Sequence, residues 1–312
     1  MERRVRIYDA TLYDGLERFG VCLTPREKVE LTERIEAAGV TTIEVSCPGE
    51  SPQDLQAVRE AAAALNRCEV AARARCICAD IEAAGNAVNR AARPVINVCL
   101  PVSDARLRDA FGMTRADAVR AIPSGIALAR RFVEAVQFTA EDAARAERPF
   151  LRQCVAAAVE AGATRIAVSD APNGTDAADE YAERIGDVRR FAGPDAILST
   201  RASTPVRVAA AVRVGARQIE TTLLEQGARW NAAGLRETVR ALPPEIVAEM
   251  DMDWEEVTAA EALALQLMRP PRGRRSAAED ASGVTPRTST SPGRYARMHG
   301  IAVLHPADVY ML

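Results

Sequence analysis

The chain has 312 residues, a hydrophobic share of 48% and a formal charge of −3. That length and apolar content suit one large α/β barrel or two ordinary domains. The slightly acidic balance offers no basic face for nucleic acid, and no run approaches the ~18 apolar residues of a membrane span, so a cytoplasmic protein with neither as partner is expected.

The seven cysteines are an odd number in a chain too long to need a disulfide framework, and reduced thiols are expected. Cys76 and Cys78 are the only close pair and, without a second one, read as structural thiols rather than a zinc site.

The chain opens with a short apolar strand, Val5 to Tyr8, that runs into an acidic turn containing Asp14-Gly15. This places a carboxylate at the strand's mouth, where backbone can approach a ligand. Thr24-Pro25-Arg26-Glu27 then supplies an N-cap, a first-turn proline and a capping-box glutamate. Further β-type runs follow at Thr42 to Val45, Val70 to Arg73, Ile96 to Leu100, Val133 to Phe138, Ile166 to Ser169, Ala196 to Ser199 and Gln218 to Thr222. Eight strand candidates alternating with helices predict parallel βα units closed into a (β/α)8 TIM barrel. Ser51-Pro52, Thr114 to Asp117 and Thr204-Pro205 mark helix starts, while Gly39, Gly162 and Gly215 mark left-handed helix stops.

Beyond Leu242-Pro243-Pro244 the pattern changes. A helix is expected from Asp253, with Glu256 completing a capping box, to Met268. The Pro-, Gly-, Ser- and Arg-rich stretch that follows reads as a linker. The expected division is a barrel over 1–245, a C-terminal helical segment over 246–268, a linker over 269–294 and a tail over 295–312.

The opening "YDATLYDGLE", with "AARARC", "FTAEDAARAE" and "IAVSDAPNG" at later strand ends, resembles the 2-isopropylmalate synthase and homocitrate synthase family of DRE-TIM metallolyases. The family motif near DTTLRDGEQ is kept at Asp9, Thr11, Leu12, Asp14 and Gly15, but Tyr13 stands where the family has its catalytic arginine. Arg73 corresponds to the arginine of "GLARA". Thr139, Glu141, Asp142 and Arg145 match the FSPEDAxRS pattern, and Asp170 is kept beside Ala171, which replaces a substrate-contacting threonine. The family's metal-binding HxHND is replaced by Ser199-Thr200-Arg201-Ala202-Ser203, with a connection about five residues short. The GERAGN segment survives only as Gly227 to Ala232, without its glutamate and with its asparagine either displaced to Asn231 or lost. The sole histidines, His299 and His305, lie in a tail that resembles a subunit-crossing segment of the family and implies a homodimer.

Divalent ions of this class need several oxygen and imidazole ligands, so no family-type metal is expected. Arg201 offers a replacement: an Asp14–Arg201 ion pair at the former metal position, or a grip on a substrate carboxylate. It could also point to solvent from a shortened loop. Glu141 and Arg145, four apart, are either a helix-surface pair or site residues. Arg73 at a barrel mouth needs a partner. Tyr13 is either a proton donor or an aromatic filler, and Cys47 and Cys99 read as small core residues. The candidate catalytic set is therefore Asp14, Arg73, Glu141 and Arg201, with Thr139, Arg145, Asp170, Tyr13 and Asn231 for substrate. No tightly bound cofactor is expected. Acyl-CoA is a candidate co-substrate and a small carboxylate or 2-oxoacid the candidate substrate, for condensation or the reverse cleavage. The alternative is an inactive paralogue kept as a binding or partner subunit.

Overall fold

The computed structural model describes residues 4–16, 21, 23–170, 177–224 and 232–268. Among these, eight parallel strands form a closed barrel in sequence order, β1 to β8. They are Arg6–Asp9, Thr42–Ser46, Glu69–Arg75, Pro94–Pro101, Ala135–Glu141, Arg165–Ser169, Ile197–Arg201 and Gln218–Thr221. β1 closes the ring against β8, with Ile7 beside Ile219 and Asp9 beside Thr221. A helix follows each strand: α1 Pro25–Ala37, α2 Pro52–Ala64, α3 Cys78–Val88, α4 Arg115–Arg130, α5 Arg148–Glu160, α6 Ala178–Ala192, α7 Pro205–Arg213 and α8 Leu235–Ala241. The (β/α)8 expectation is met.

The helix signals act as the sequence suggests at most positions. Thr24 and Thr114 form reciprocal capping boxes with Glu27 and Asp117, and Ser51 accepts from the Asp54 N–H. Thr204 occupies the N-cap of α7 but makes no side-chain capping bond, so Pro205 alone sets that start. Gly39, Gly162 and Gly215 carry φ of +88°, +99° and +115°, the left-handed stop that only glycine adopts cheaply.

A last helix, α9 Trp254–Met268, follows a short helical turn at Pro244–Val247 and buries Val257, Ala260 and Ala264. Asp253 Oδ1 accepts from the backbone N–H groups of Glu255 and Glu256, at 3.0 and 3.1 Å, and so caps it. The Asp253 N–H donates to Ala38 O and docks this extension on the end of α1. The expected linker and tail, including His299 and His305, lie outside the described residues.

The helix–sheet layer is a continuous apolar core of Val, Ile, Leu and Ala. The inside of the barrel differs from the usual layers of branched apolar residues. Tyr8, Glu44, Asn97, Gln137, Thr139, Ser199, Gln218 and Glu220 are fully buried. They satisfy one another across the strands: Tyr8 Oη and Asn97 Nδ2 donate to Glu44 Oε1 at 2.8 and 2.7 Å, and Thr139 Oγ1 to Asn97 Oδ1 at 2.7 Å. Gln137 Nε2 and Ser199 Oγ donate to Glu220 Oε1 at 3.0 and 2.9 Å, and Gln218 Nε2 to Gln137 Oε1 at 2.7 Å. Such a polar interior is tolerable because its members are paired. At the N-terminal end Glu69 takes two bonds of 2.7 Å from Arg165, one of 2.7 Å from Arg6 and one of 2.6 Å from Thr42.

Candidate active site

The C-terminal ends of the strands carry the chemistry of this fold, and here they hold an arginine enclosed by acids. β7 continues two residues past the expected Ser199, so the strand's two-residue alternation puts Arg201 on the same inward face. Its Nη1 donates to the Asp14 carboxylate, its Nε to Glu220 Oε2, and its Nη2 to Glu44 Oε2 at 3.0 Å. Arg201 is 2% exposed, so the solvent-facing reading is excluded and the Asp14–Arg201 contact is formed. Burial works against its charge, but Asp14, Glu220 and Glu44 outweigh that and raise its pKa further. Burial likewise opposes ionisation of Glu44, and the Arg201 and Arg73 charges overcome it, holding this carboxyl below its usual range.

Asp14 reaches this point from a wide helical turn, Thr11–Leu16, that follows β1 directly. Asp9 Oδ1 and Oδ2 accept from the Thr11 N–H and hydroxyl at 3.0 and 2.8 Å, and Thr11 Oγ1 accepts from the Leu223 N–H at 2.8 Å. The turn is thereby tied to the end of β8.

Arg73 stands beside this cage at the solvent side, 7% exposed. Its Nη2 donates to Glu141, its Nη1 faces Glu44 Oε1 at 3.5 Å, and its guanidinium lies 4.9 Å from the Tyr13 ring centre. Tyr13 is therefore an aromatic platform under a cation. Arg106 adds a second positive group, its Nη2 4.0 Å from Glu141 Oε2.

The helix-pair reading of Glu141 and Arg145 is corrected. Glu141 closes β5, which runs three residues beyond the expected Phe138, and Arg145 lies in a 3-10 turn over Ala143–Arg145. Arg145 Nε donates to Asp142 Oδ1 at 2.8 Å, and Ser103 Oγ to Asp142 Oδ2. Asp142 has φ of +58°, which breaks the helical path between the two residues. Thr139 lies deep in the barrel against Asn97, and Asp170 is buried with Arg207 Nη1 as a donor. Asn231 lies outside the described residues. Burial holds the Cys47 and Cys99 thiols protonated, consistent with small core residues.

Glu44, Glu220, Asn97 and Arg106 were missed by sequence reasoning. Glu44 and Glu220 each sit alone in an apolar β-branched strand, "TIEVS" and "QIET". A single carboxylate there is the legible signal, because a buried charge demands a partner.

Residues 4–263 match the HMGL-like family. The chain belongs to that family. It is 33% identical over 247 residues to 2-isopropylmalate synthase of Listeria innocua serovar 6a, covering 77% of this chain and 48% of that protein. It is 37% identical over 246 residues to 2-isopropylmalate synthase of Carboxydothermus hydrogenoformans, with the same coverage of both. The chain thus spans about half the length of these HMGL-like relatives. Among solved folds, hydroxymethylglutaryl-CoA lyase from Pseudomonas aeruginosa superposes with a TM-score of 0.73 at 16% identity, over 89% of this chain and 98% of that one. The carboxyl transferase domain of Rhizobium etli pyruvate carboxylase gives 0.65 at 13%, over 86% and 48%. These two establish a shared fold.

The donor set at this mouth does not fit the divalent ion that the isopropylmalate synthase resemblance implies. Asp14, Glu44 and Glu220 each spend an oxygen on one guanidinium, and no described residue is a histidine. A cation at their centre would have to displace Arg201 and sit near Arg73. Among the described residues, no group of three or more His, Cys, Asp or Glu is placed to hold a metal.

Proposed function

We propose that this HMGL-like protein acts on a small carboxylate or 2-oxoacid without the family's divalent metal, making or breaking a carbon–carbon bond beside a carbonyl. In the condensing direction an acyl-CoA would lose an α-proton to a base, and the resulting enolate carbon would attack the keto carbon. The keto oxygen would take the electron pair and then a proton, and water would cleave the thioester to a carboxylate and free CoA. The observation that supports this reading is the permanent guanidinium of Arg201, bonded to Asp14, Glu44 and Glu220 at the barrel mouth. In this proposal it supplies a permanent cationic group at the strand end where the resemblance puts the family's metal motif, with Arg73 next to it as the group nearer solvent. Preorganised cationic donors in a water-poor site stabilise a developing oxyanion without reorganisation. In this proposal Asp14 orients Arg201, Glu141 holds Arg73, and Tyr13 supports Arg73 from below. The working unit is a cytoplasmic homodimer.

The test is thiol release from acetyl-CoA with a panel of 2-oxoacids, and cleavage of the matching 3-hydroxy acyl thioesters, in the presence and absence of EDTA. EDTA-insensitive turnover that R73M abolishes is the expected result. Turnover that requires added manganese or magnesium would overturn the metal-free mechanism.

A second reading has its own support. Each donor nitrogen of Arg201 is engaged by a protein carboxylate, so only the second N–H of each terminal nitrogen remains for a ligand, which suits a structural plug in an inactive paralogue. Absence of turnover in both directions, with a folded dimer, would favour that reading and a role as a partner subunit.

A further inference from the structure

Among the described residues, two buried guanidinium nitrogens at the mouth have no hydrogen-bond partner: Arg106 Nε, and Arg73 Nη1, whose contact with Glu44 Oε1 at 3.5 Å is an ion pair rather than a hydrogen bond. They belong to the two arginines that flank Glu141. An unmet buried donor is costly. Arg6 Nε and Arg165 Nε beside Glu69 share that state at the other end of the barrel. It is the position of Arg73 and Arg106, at the strand ends that carry the chemistry of this fold, that makes them ligand-facing. Arg201, by contrast, has each donor nitrogen satisfied. The receptor capacity of this mouth lies with Arg73 and Arg106.

Glu141 is the group best placed to exchange. Its side chain is 23% exposed and that of Arg106 34%, whereas Glu44 and Glu220 are sealed. Its backbone is fixed by the last β5 pairing, Pro101 beside Glu141, and by the turn at Asp142. Asp142 is the one non-glycine residue with positive φ among those described, a conformation that costs about 1 kcal/mol or more. Ser103 and Arg145 grip its carboxylate and hold it there. The backbone is thus held, while among the described residues the Glu141 carboxylate itself is anchored by arginines that a second carboxylate could also use.

We infer that Arg73 and Arg106 form a receptor for a ligand carboxylate, and that Glu141 is a resident carboxylate which occupies it in the free protein and is displaced on binding. This names the carboxylate subsite of the function proposed above and rests on that reading for its biological meaning. The recognition chemistry is a planar anion taking paired N–H donors from guanidinium forks. Glu141 then sets a threshold: only a ligand whose remaining contacts exceed those of the glutamate opens the site, the arithmetic of any competing internal ligand.

The test is calorimetric titration of the full-length protein with malonate, with inorganic phosphate and neutral malonamide as comparison probes. E141Q keeps the side-chain volume and removes the competing charge. It is expected to bind malonate at least about tenfold more tightly than wild type, since the ligand no longer has to displace a competing charge-assisted bond. R106M in the E141Q background should lose that gain, and malonamide should bind neither protein. Phosphate binding as strong as malonate would place the receptor in the wider class of tetrahedral anions and overturn its assignment to carboxylate. Unchanged or weaker malonate binding in E141Q, or a gain insensitive to R106M, would overturn the inference outright. Arg106 is half-exposed, so R106M does not depend on a core residue for folding, and far-UV circular dichroism checks each variant. No turnover is measured, so an inactive protein that passes these titrations sinks only the proposed reaction. An active one that fails them sinks only the resident-carboxylate subsite.

Discussion

Arg201 on β7 donates Nη1 to Asp14, which lies 187 residues earlier on the turn after β1, and this bond crosses the mouth of the barrel. The same guanidinium reaches β2 through Glu44 and β8 through Glu220. One side chain therefore links four segments of the ring. A planar fork with several donors can satisfy carboxylates arriving from different directions, which a point charge cannot. Arg73, 3.5 Å from Glu44, adds a second positive charge to the cluster.

Loss of Arg201 should therefore be severe. R201M would leave three buried carboxylates around an apolar side chain, and removal of one partner from a buried ion pair costs about 3–5 kcal/mol. R201K keeps the charge but cannot serve Asp14, Glu44 and Glu220 together, so it should fall between R201M and wild type. Urea titration of the three proteins checks the order. The double variant R201M/E220Q should recover part of the loss, and a loss in R201M below about 1 kcal/mol would show that the cage is not a stability element.

The barrel was legible because its signals are local and repeated. Strand runs alternate with capped helices, and Gly39, Gly162 and Gly215 stop helices in the left-handed conformation. The helical reading across Glu141 to Arg145 failed for a physical reason: four-residue spacing cannot reveal that β5 continues to Glu141 or that Asp142 turns the chain with φ of +58°. The Asp14–Arg201 contact could be anticipated from charge chemistry at two strand ends. Glu44 and Glu220 could not be assigned to it, since sequence gives the face of a buried strand only when register is known.

The stop at Gly39 carries a further load. Its φ is +88°, and a Cβ there would lie 2.2 Å from the carbonyl oxygen of Asp251, just before the segment that leads into α9. G39A should cost more than the roughly 1 kcal/mol of an ordinary left-handed alanine, because the backbone of the C-terminal extension must also move. A fall in Tm larger than that of G112A, where the glycine is left-handed with φ of +63° and nothing lies within 4 Å, is the expected comparison.

At the opposite end of the barrel, acid should expose the contribution of Glu69. Burial raises its pKa, but the bonds and charge of Arg165, with Arg6 and Thr42, outweigh that and bring it down to about 2 from 4.5. A depressed folded-state value means stability that is present above the unfolded pKa and lost as pH falls from about 4.5 towards 2. The shift corresponds to roughly 3 kcal/mol. The stability difference between wild type and E69Q, followed by urea titration, should shrink across that window. A difference constant between pH 5 and pH 2.5 would contradict the pairing.

Asp9 should give the opposite slope at higher pH. Burial pushes its carboxyl up to about 7 from 3.8, the Thr11 hydrogen bonds oppose this only in part, and the Glu44 charge adds to it. A carboxyl with a raised folded-state pKa holds its proton in the native protein after the unfolded chain has released it. The native state then binds more protons between about pH 4 and pH 7, so stability falls as pH rises through that interval and levels off above it. The full effect is about 4 kcal/mol. D9N mimics the protonated acid: its Oδ1 can accept from the Thr11 N–H, and its amide can donate to Thr11 Oγ1. Wild type and D9N should be similarly stable near pH 4.5, and D9N increasingly the more stable towards pH 8. No described residue is a histidine that would add its own slope in this range. Parallel curves for the two proteins from pH 4.5 to pH 8 would mean that Asp9 is ionised in the fold throughout and that the turn carrying Asp14 is anchored by a charge rather than by a neutral acid.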